Sequence, residues 1–517
     1  MSLSPDVPDV PSLVVKQRWL LIASVMGAML MQVLDTTIAN VALPHMQASL
    51  GATQDSITWV LTSYILASAV AIPVTGWLSD KFSIRSLFLV SVVIFVCASV
   101  LCGIATSLPE MVAFRIIQGI GGAFLAPLAQ TILLDVTKPS DHGKITSVYG
   151  MGIMIGPIVG PILGGWLTES FDWRWVFFVN IPIGITCFIA LWFLLPRKSP
   201  DPRTFDLAGW AMIALGLAGM QLMLDRGPLE DWFSSTEIWI EAGVAVTGLW
   251  MFGVHMMTAR RPLFPIAMLR DRNLISGALF MFVMGLVMMA AMALLPTMLQ
   301  SSFGYPVIDT GILLASRGVG VLLTMALTGR LAQKVDPRML VCAGFLIMAG
   351  SLWLMTGWSL NMDWKPIVTS GFVQGVGLGL VFVPLNMLSF ATLPRKYRTD
   401  AASLLNLARS LGSSVGIAIV TALLSHNVQV SHSDIAATIT PYNLPVDPSM
   451  VSVLGRNGDA VMSALDGMVN QQAAMVAYLD DFYFMMFLTL SAIPLILLLR
   501  RPERKAADDD LAHMVME

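Results

Sequence analysis

Asp35 and Arg115 are the two residues of this sequence whose types and placement point to chemistry, because each lies inside a long apolar run. Asp35 sits about eight residues from the far end of the run 19–43, roughly 12 Å at 1.5 Å per residue, and Arg115 lies at similar depth in the run 109–133. A lone carboxylate at such a depth in a bilayer costs roughly 2.5–3.5 kcal/mol on insertion scales, so a partner or a watery cavity is expected. Burial favours the protonated form of a carboxyl and a nearby guanidinium favours the ionised form. Making and breaking such a pair as a cavity opens would load and release a proton, whereas a static pair would only fix helix register. Gln32, one turn before Asp35, and Gln118, one turn after Arg115, are placed to bond the pair or to line a cavity. Thr36 and Asn40 follow on the same helix. Arg317, beside Gly318 and Gly320, is a cation that could face the same cavity from the second half, and Met281, Met284, Met288 and Met292 form a flexible stripe suited to apolar substrates or to a core. Arg409 lies near a span end, where snorkelling to the interface is the cheaper expectation.

The elements that must position these residues are membrane helices. The chain is 56% hydrophobic and 12% charged over 517 residues, too apolar for a soluble protein of this size. Apolar runs long enough to span recur about fourteen times: 19–43, 57–78, 86–106, 109–133, 144–168, 174–196, 206–225, 237–258, 274–300, 308–330, 338–358, 366–391, 403–426 and 481–499. Lys and Arg concentrate in alternate connections, from Lys16 and Arg18 through Lys81 and Arg85, Arg197, Lys198 and Arg203, Arg260 and Arg261, and Arg395 to Arg398, ending at Arg500 to Lys505. That alternation predicts an even number of spans and both termini in the cytoplasm. The first run lacks a cleavage site and is expected to remain as a helix. The four cysteines lie in apolar runs and outline no disulfide framework.

The run 144–168 carries Gly152, Gly156, Gly160 and Gly164, with Pro157, Pro161 and Gly165 beside them. Glycines at every fourth position leave one helix face bare, so a neighbouring helix can approach closely. Two echoes mark an internal repeat: Gly76 to Leu87 matches Gly329 to Leu340 at Gly, Leu, Lys, Arg and the final Leu, and Gln118-Gly119-Ile120-Gly121 matches Gln374-Gly375-Val376-Gly377. Residues 1–200 and 271–517 are therefore expected to be related six-helix bundles, with two added spans within 201–270 and a long outer loop at about 427–480. Duplicated halves around a cavity are an architecture of alternating-access carriers.

These motifs resemble those of the major facilitator superfamily, and the match covers nearly the whole chain. Gly152 to Gly165 resembles the antiporter motif of helix 5, Gly76 to Leu87 the loop between helices 2 and 3, and Arg115 to Gly119 the helix-4 motif. Leu34 to Pro44 resembles the first-helix signature of fourteen-span drug:proton antiporters, and Leu222 to Gly227 with Asp231 to Ser235 is similar to the EmrB-type subgroup. Two departures stand out. Ser83 and Ile84 replace a glycine and a base, which predicts a looser turn, and Gln333 stands where an acid would complete the repeat.

The resemblance implies an all-α integral membrane protein of fourteen spans and a proton-driven exporter of hydrophobic or amphipathic drugs. Asp35 and Arg115 would couple protons, and Gln32, Thr36, Asn40, Gln118, Met288, Met292 and Arg317 would line the substrate cavity. Gly76, Asp80, Lys81 and Arg85 would clamp helix ends at the inner gate, and the glycines and prolines of helix 5 would seal a pathway. Asp135 is a further acid that could join the coupling. The resemblance also implies the bacterial inner membrane, and a periplasmic adaptor protein of EmrA type leading to an outer-membrane channel, with the 427–480 loop as docking element. A single-component exporter, a proton-coupled symporter and a non-transporting sensor or scaffold are the alternatives. No phosphate-binding loop, metal-spaced His cluster or nucleophile constellation is present, so the proton gradient rather than a cofactor is the expected energy source and no enzyme is expected. The basic residues are too dispersed for nucleic acid.

Overall fold

A computed structural model describes residues 10–196, 203–332, 334–439 and 458–499. Gln333, Arg197, Lys198, the C-terminal bases from Arg500 and the middle of the expected outer loop, 440–457, lie outside the described residues. In lipid every backbone polar group must be satisfied within the protein, so long apolar runs close their hydrogen bonds as helices. Among the described residues, fourteen helices are long and apolar enough to cross a membrane. They are α1 Arg18–Leu50, α2 Asp55–Phe82, α3 Ile84–Ile104, α4 Leu108–Asp135, α5 Pro139–Ser170, α6 Trp175–Leu194 and α7 Leu207–Arg226, then α8 Thr236–Thr258, α9 Arg272–Ser301, α10 Ile308–Leu331, α11 Pro337–Thr356, α12 Trp364–Ala391, α13 Arg395–Thr438 and α14 Leu465–Leu498.

Helices α1 to α6 pack among themselves and α9 to α14 form a second bundle. Helices α7 and α8 pair with each other and reach the rest through α7, which lies against α2 and α13. The halves meet where α5 packs on α10 and where α2 and α4 pack on α13. Helix α2 narrows to a 3-10 turn at Ile72–Val74 around Pro73, and there the Ser403 hydroxyl of α13 donates to the Ile72 carbonyl at 2.6 Å. The Ile72 carbonyl also accepts from Thr75 of its own helix, so the Ser403 bond ties this irregularity to the opposite half.

The bare face of α5 packs on α1. A Cβ at Gly156 would meet Val33, one at Gly160 would fall 2.0 Å from Thr37 Oγ1, and one at Gly164 would press on Ile38. The Thr37 hydroxyl donates across this seam to the Gly156 carbonyl at 3.3 Å. Gly165 has nothing within 4 Å and lies off the seam. Pro157 and Pro161 are half-buried within the helix, and the neighbouring Ile158 meets Gly318 of α10.

The expected outer loop is largely helix. Arg398–Thr438 runs for 41 residues, about 60 Å at 1.5 Å per residue against a hydrocarbon core of about 30 Å. Its partner helix begins at Gly458, so most of the 427–480 segment is the continuation of α13 and α14. Hydropathy falls where a helix leaves lipid, even when the helix itself continues. His432 Nε2 lies 3.2 Å from Asp466 between the two arms, and Gln471 Nε2 donates to the Ser302 carbonyl at 2.9 Å where they meet α9.

Candidate functional site

The bundle brings Asp35 and Arg115 into contact, with Arg115 Nη1 2.6 Å from Asp35 Oδ2 and neither side chain exposed. Arg115 Nη1 also donates to Gln118 Oε1 at 2.7 Å and Nε to the Val60 carbonyl at 2.9 Å. Its guanidinium lies 4.3 Å from the Tyr64 ring centroid, a favourable cation–π contact. The other carboxylate oxygen, Asp35 Oδ1, accepts from Gln118 Nε2 at 2.8 Å and from Asn180 Nδ2 at 2.9 Å. Both amides also donate to Ser99 Oγ, at 2.7 and 3.2 Å. Val60, Tyr64, Ser99, Gln118 and Asn180, from α2, α3, α4 and α6, thus surround one ion pair. Arg115 Nη2 and Asn180 Oδ1 are left without a hydrogen-bond partner.

Asn180 and Ser99 escape a reading of the sequence, because a neutral polar residue in an apolar run carries no spacing signature. The N-terminal end of α6, where Val-Asn interrupts an aromatic run, was the available signal. The other expected cavity residues are dispersed. Gln32 is half-buried with its Oε1 unpartnered, the Thr36 hydroxyl bonds its own helix at the Val33 carbonyl, and Asn40 is exposed. Met281, Met284 and Met288 are buried and Met292 is half-buried.

The second half carries polar groups with few partners. Among the described residues, Arg317 Nη2 reaches the Met288 carbonyl at 3.4 Å and no other acceptor. Both amide atoms of the buried Gln374 lack partners, and so do both oxygens of Asp481, which is fully buried. Asp35 is therefore not the sole deep acid: Asp481, expected at the edge of its span, is internal to α14 because the helix starts far earlier. Arg409 does not snorkel. It turns inward to Asn406 Oδ1 at 3.4 Å and lines a small cavity of about 10 Å³ with Tyr149, Gln130, Met281 and Phe382. That space is below the 300–1,000 Å³ typical of drug-sized ligands.

The Lys- and Arg-rich helix ends are tied across the two halves. Arg398 Nη1 pairs with Asp135 at 2.6 Å, Gln130 Nε2 donates to Asn386 Oδ1 at 2.8 Å, and Asn406 Nδ2 donates to Gln130 Oε1 at 3.1 Å. Gly76 has no room for a Cβ, which would stand 1.7 Å from Asp400 Oδ1 of α13. Asp80 pairs with Arg203 at 3.1 Å. Lys81 and Arg85 act elsewhere: Lys81 lies over the Trp77 ring, and Arg85 Nη2 donates to the Trp192 carbonyl at 2.6 Å. The turn is not looser for lacking glycine. Ser83 takes φ of +72°, a conformation glycine favours, and its hydroxyl caps Ser86 N.

Two six-helix bundles with an inserted helix pair, a sealed polar centre and one closed face, all among the described residues, define a membrane carrier. The family model of the Major Facilitator Superfamily matches residues 25–417. The Multidrug export protein EmrB of Haemophilus influenzae is 36% identical over 434 residues, covering 83% of this chain and 85% of that protein. EmrB of Escherichia coli (strain K12) is 34% identical over 86% of each chain. The Fatty acid resistance protein FarB of Neisseria gonorrhoeae is 34% identical over 92% of this chain and 94% of its own. The crystal structure of the human organic anion transporter MFSD10 (TETRAN) superposes with a TM-score of 0.57 over 91% of this chain and 99% of that one; at 14% identity it speaks to the fold alone. The chain belongs to the major facilitator superfamily and, within it, to the EmrB-type family of fourteen-span transporters. It is a transporter and not an enzyme.

Proposed function

We propose that this protein exports hydrophobic or amphipathic drugs across the bacterial inner membrane in exchange for protons, the proton gradient being its energy source and no cofactor taking part. The observation that carries this reading is the Asp35 centre. Arg115, Gln118 and Asn180 all donate to this carboxylate, and a proton bound to it would cancel the charge that the guanidinium meets and occupy an acceptor site that these donors use. Proton binding at Asp35 would therefore loosen α1 against α4 and α6, and α1 is also the helix on which the glycine face of α5 rests. Because α5 meets α10, that seam links the proton site to the interface between the halves. Only differential affinity of proton and drug for the two states drives the cycle.

The bundles, read as 1–200 and 271–517, would alternate about a cavity lined in part by Met288, Met292 and Arg317. The closed face, which carries the Lys and Arg excess, would be cytoplasmic. Everted vesicles with an acid interior should accumulate a lipophilic drug, and a proton ionophore should abolish the accumulation. Absence of gradient-driven uptake across a broad drug panel would contradict the proposal.

We also assign the periplasmic adaptor site of a three-part pump, leading to an outer-membrane channel, to the arms of α13 and α14 beyond the bilayer. Val430, Met468 and Val476 are exposed there. Cysteine cross-linking of these positions to an EmrA-type adaptor tests this; labelling indifferent to the adaptor's presence would favour a single-component exporter.

A further inference from the structure

The inner gate contains a residue that comes from neither bundle. Asp80 closes α2 in the first half, and Asp400 opens α13 in the second. Asp400 packs directly on Gly76, one turn from Asp80, so the gate brings two carboxylates of opposite halves together. Between them lies Arg203, with Nε 3.1 Å from Asp80 Oδ2 and Nη2 2.6 Å from Asp400 Oδ1. Asp400 is only 4% exposed at its side chain, so its charge depends on this partner.

Arg203 belongs to the strand of chain that leads into the inserted helices α7 and α8, and that segment is fastened to the gate. The Trp77 indole of α2 donates to the Arg203 carbonyl at 2.9 Å, and the Trp77 and Phe205 rings meet at 4.3 Å, tilted by 38°. Trp210 Nε1 donates to the Val70 carbonyl of α2 at 3.2 Å. Asp206 then gathers the inner ends of the inserted pair, accepting from Gly209 N at 2.9 Å and Leu263 N at 3.0 Å and lying 2.9 Å from His255 Nε2 of α8. The guanidinium is thus held by its own backbone, by the insertion behind it and by α2.

We propose that Arg203 is the positioning residue of the inner gate, through which the inserted helix pair sets the equilibrium between the inward-closed and inward-open states. With Arg203 docked, two like charges on opposite halves share one cation and the halves can close. Without it the nearly buried carboxylate of Asp400 loses its counter-ion and the tie between the halves at this point is lost. The segment leading into α7 and α8 therefore supplies a bridge between two bundles that each present an acid at this point. The inference rests on the alternating-access reading but not on any drug or proton, because gate closure can be read without substrate.

The test uses the full-length chain in everted vesicles, with the four native cysteines replaced by alanine and Leu405→Cys as reporter. Leu405 is buried and lines the cavity behind the gate. A membrane-impermeant maleimide added from the cytoplasmic side labels it only when the gate opens. Arg203→Gln is expected to raise the labelling rate on the order of ten-fold, as suits loss of the partner to a nearly buried charge. Arg203→Lys should fall between that variant and the parent. Arg203→Gln combined with Asp400→Asn should return toward the parent rate, because no nearly buried charge is then left without its counter-ion. An unchanged rate in Arg203→Gln would overturn the proposal. So would a double variant as open as the single one, since general loosening rather than charge would then explain the effect. Loss of drug export with this pattern intact would instead count against the exporter reading and leave the gate assignment standing.

Discussion

The N-terminal half surrounds the buried carboxylate of Asp35 with three donors, and among the described residues the C-terminal half leaves that of Asp481 with none. Asp35 accepts from Arg115, Gln118 and Asn180, whereas Asp481 has no partner for either oxygen. The contrast extends along the internal repeat. Gln118 bonds four polar groups in α1, α3 and α4, and its counterpart Gln374 bonds none. Where the first motif has Arg115, the same position of the second has Gly371, which brings α12 close to Ser316 of α10. Two copies of one bundle have thus diverged: the polar groups around Gln118 are partnered within their own bundle, and the amide of Gln374 is not. The first arrangement suits a switch operated by a small ion, and the second suits a surface that receives varied ligands.

The largest effect expected from this contrast is at Arg115. Removing one partner of a buried ion pair costs about 3–5 kcal/mol, so Arg115→Met should lower the thermal midpoint in detergent sharply and abolish efflux. Adding Asp35→Asn to it should recover much of the stability and none of the transport. Arg115→Lys should not substitute, because the guanidinium bonds Val60 through Nε while holding Asp35 and Gln118 through Nη1. Next comes the α1–α5 seam. Gly160→Leu forces side-chain atoms into Thr37 and should cost about 1–3 kcal/mol, with transport lost at permissive temperature.

Asn180→Ala removes one of three donors and should cost about 1 kcal/mol in the same unfolding assay. The smallest effect belongs to the other half. Gln374→Leu exchanges an unpartnered amide for a side chain of similar size and should be neutral or slightly stabilising. If Gln374→Leu costs as much as Asn180→Ala, the two halves do not differ as described.

The sequence made Asp35, Arg115 and Gln118 legible because charge in lipid is expensive and few residues carry it. Depth alone then matched the acid to the base. Asn180 and Ser99 were not legible, since neutral side chains are cheap enough in a bundle to occur without a partner. The span boundaries were drawn by apolarity, which records where helices leave lipid rather than where they end. That is why the arms of α13 and α14 read as a loop and Asp481 read as a terminal residue. Arg203 appeared only as one more base in an inner connection. Its role depends on Asp400, almost two hundred residues away, and no local pattern announces such a meeting.

The central claim is that the Asp35 centre couples protons to drug movement. Drug-triggered proton release from acid-loaded everted vesicles, compared between the natural chain and Asp35→Asn at equal expression, tests it most directly. The account predicts that lipophilic drugs dissipate the pH gradient only when the carboxyl is present. Equal dissipation by the two proteins would contradict it, reducing the Asp35–Arg115 pair to a structural contact and moving the coupling site elsewhere.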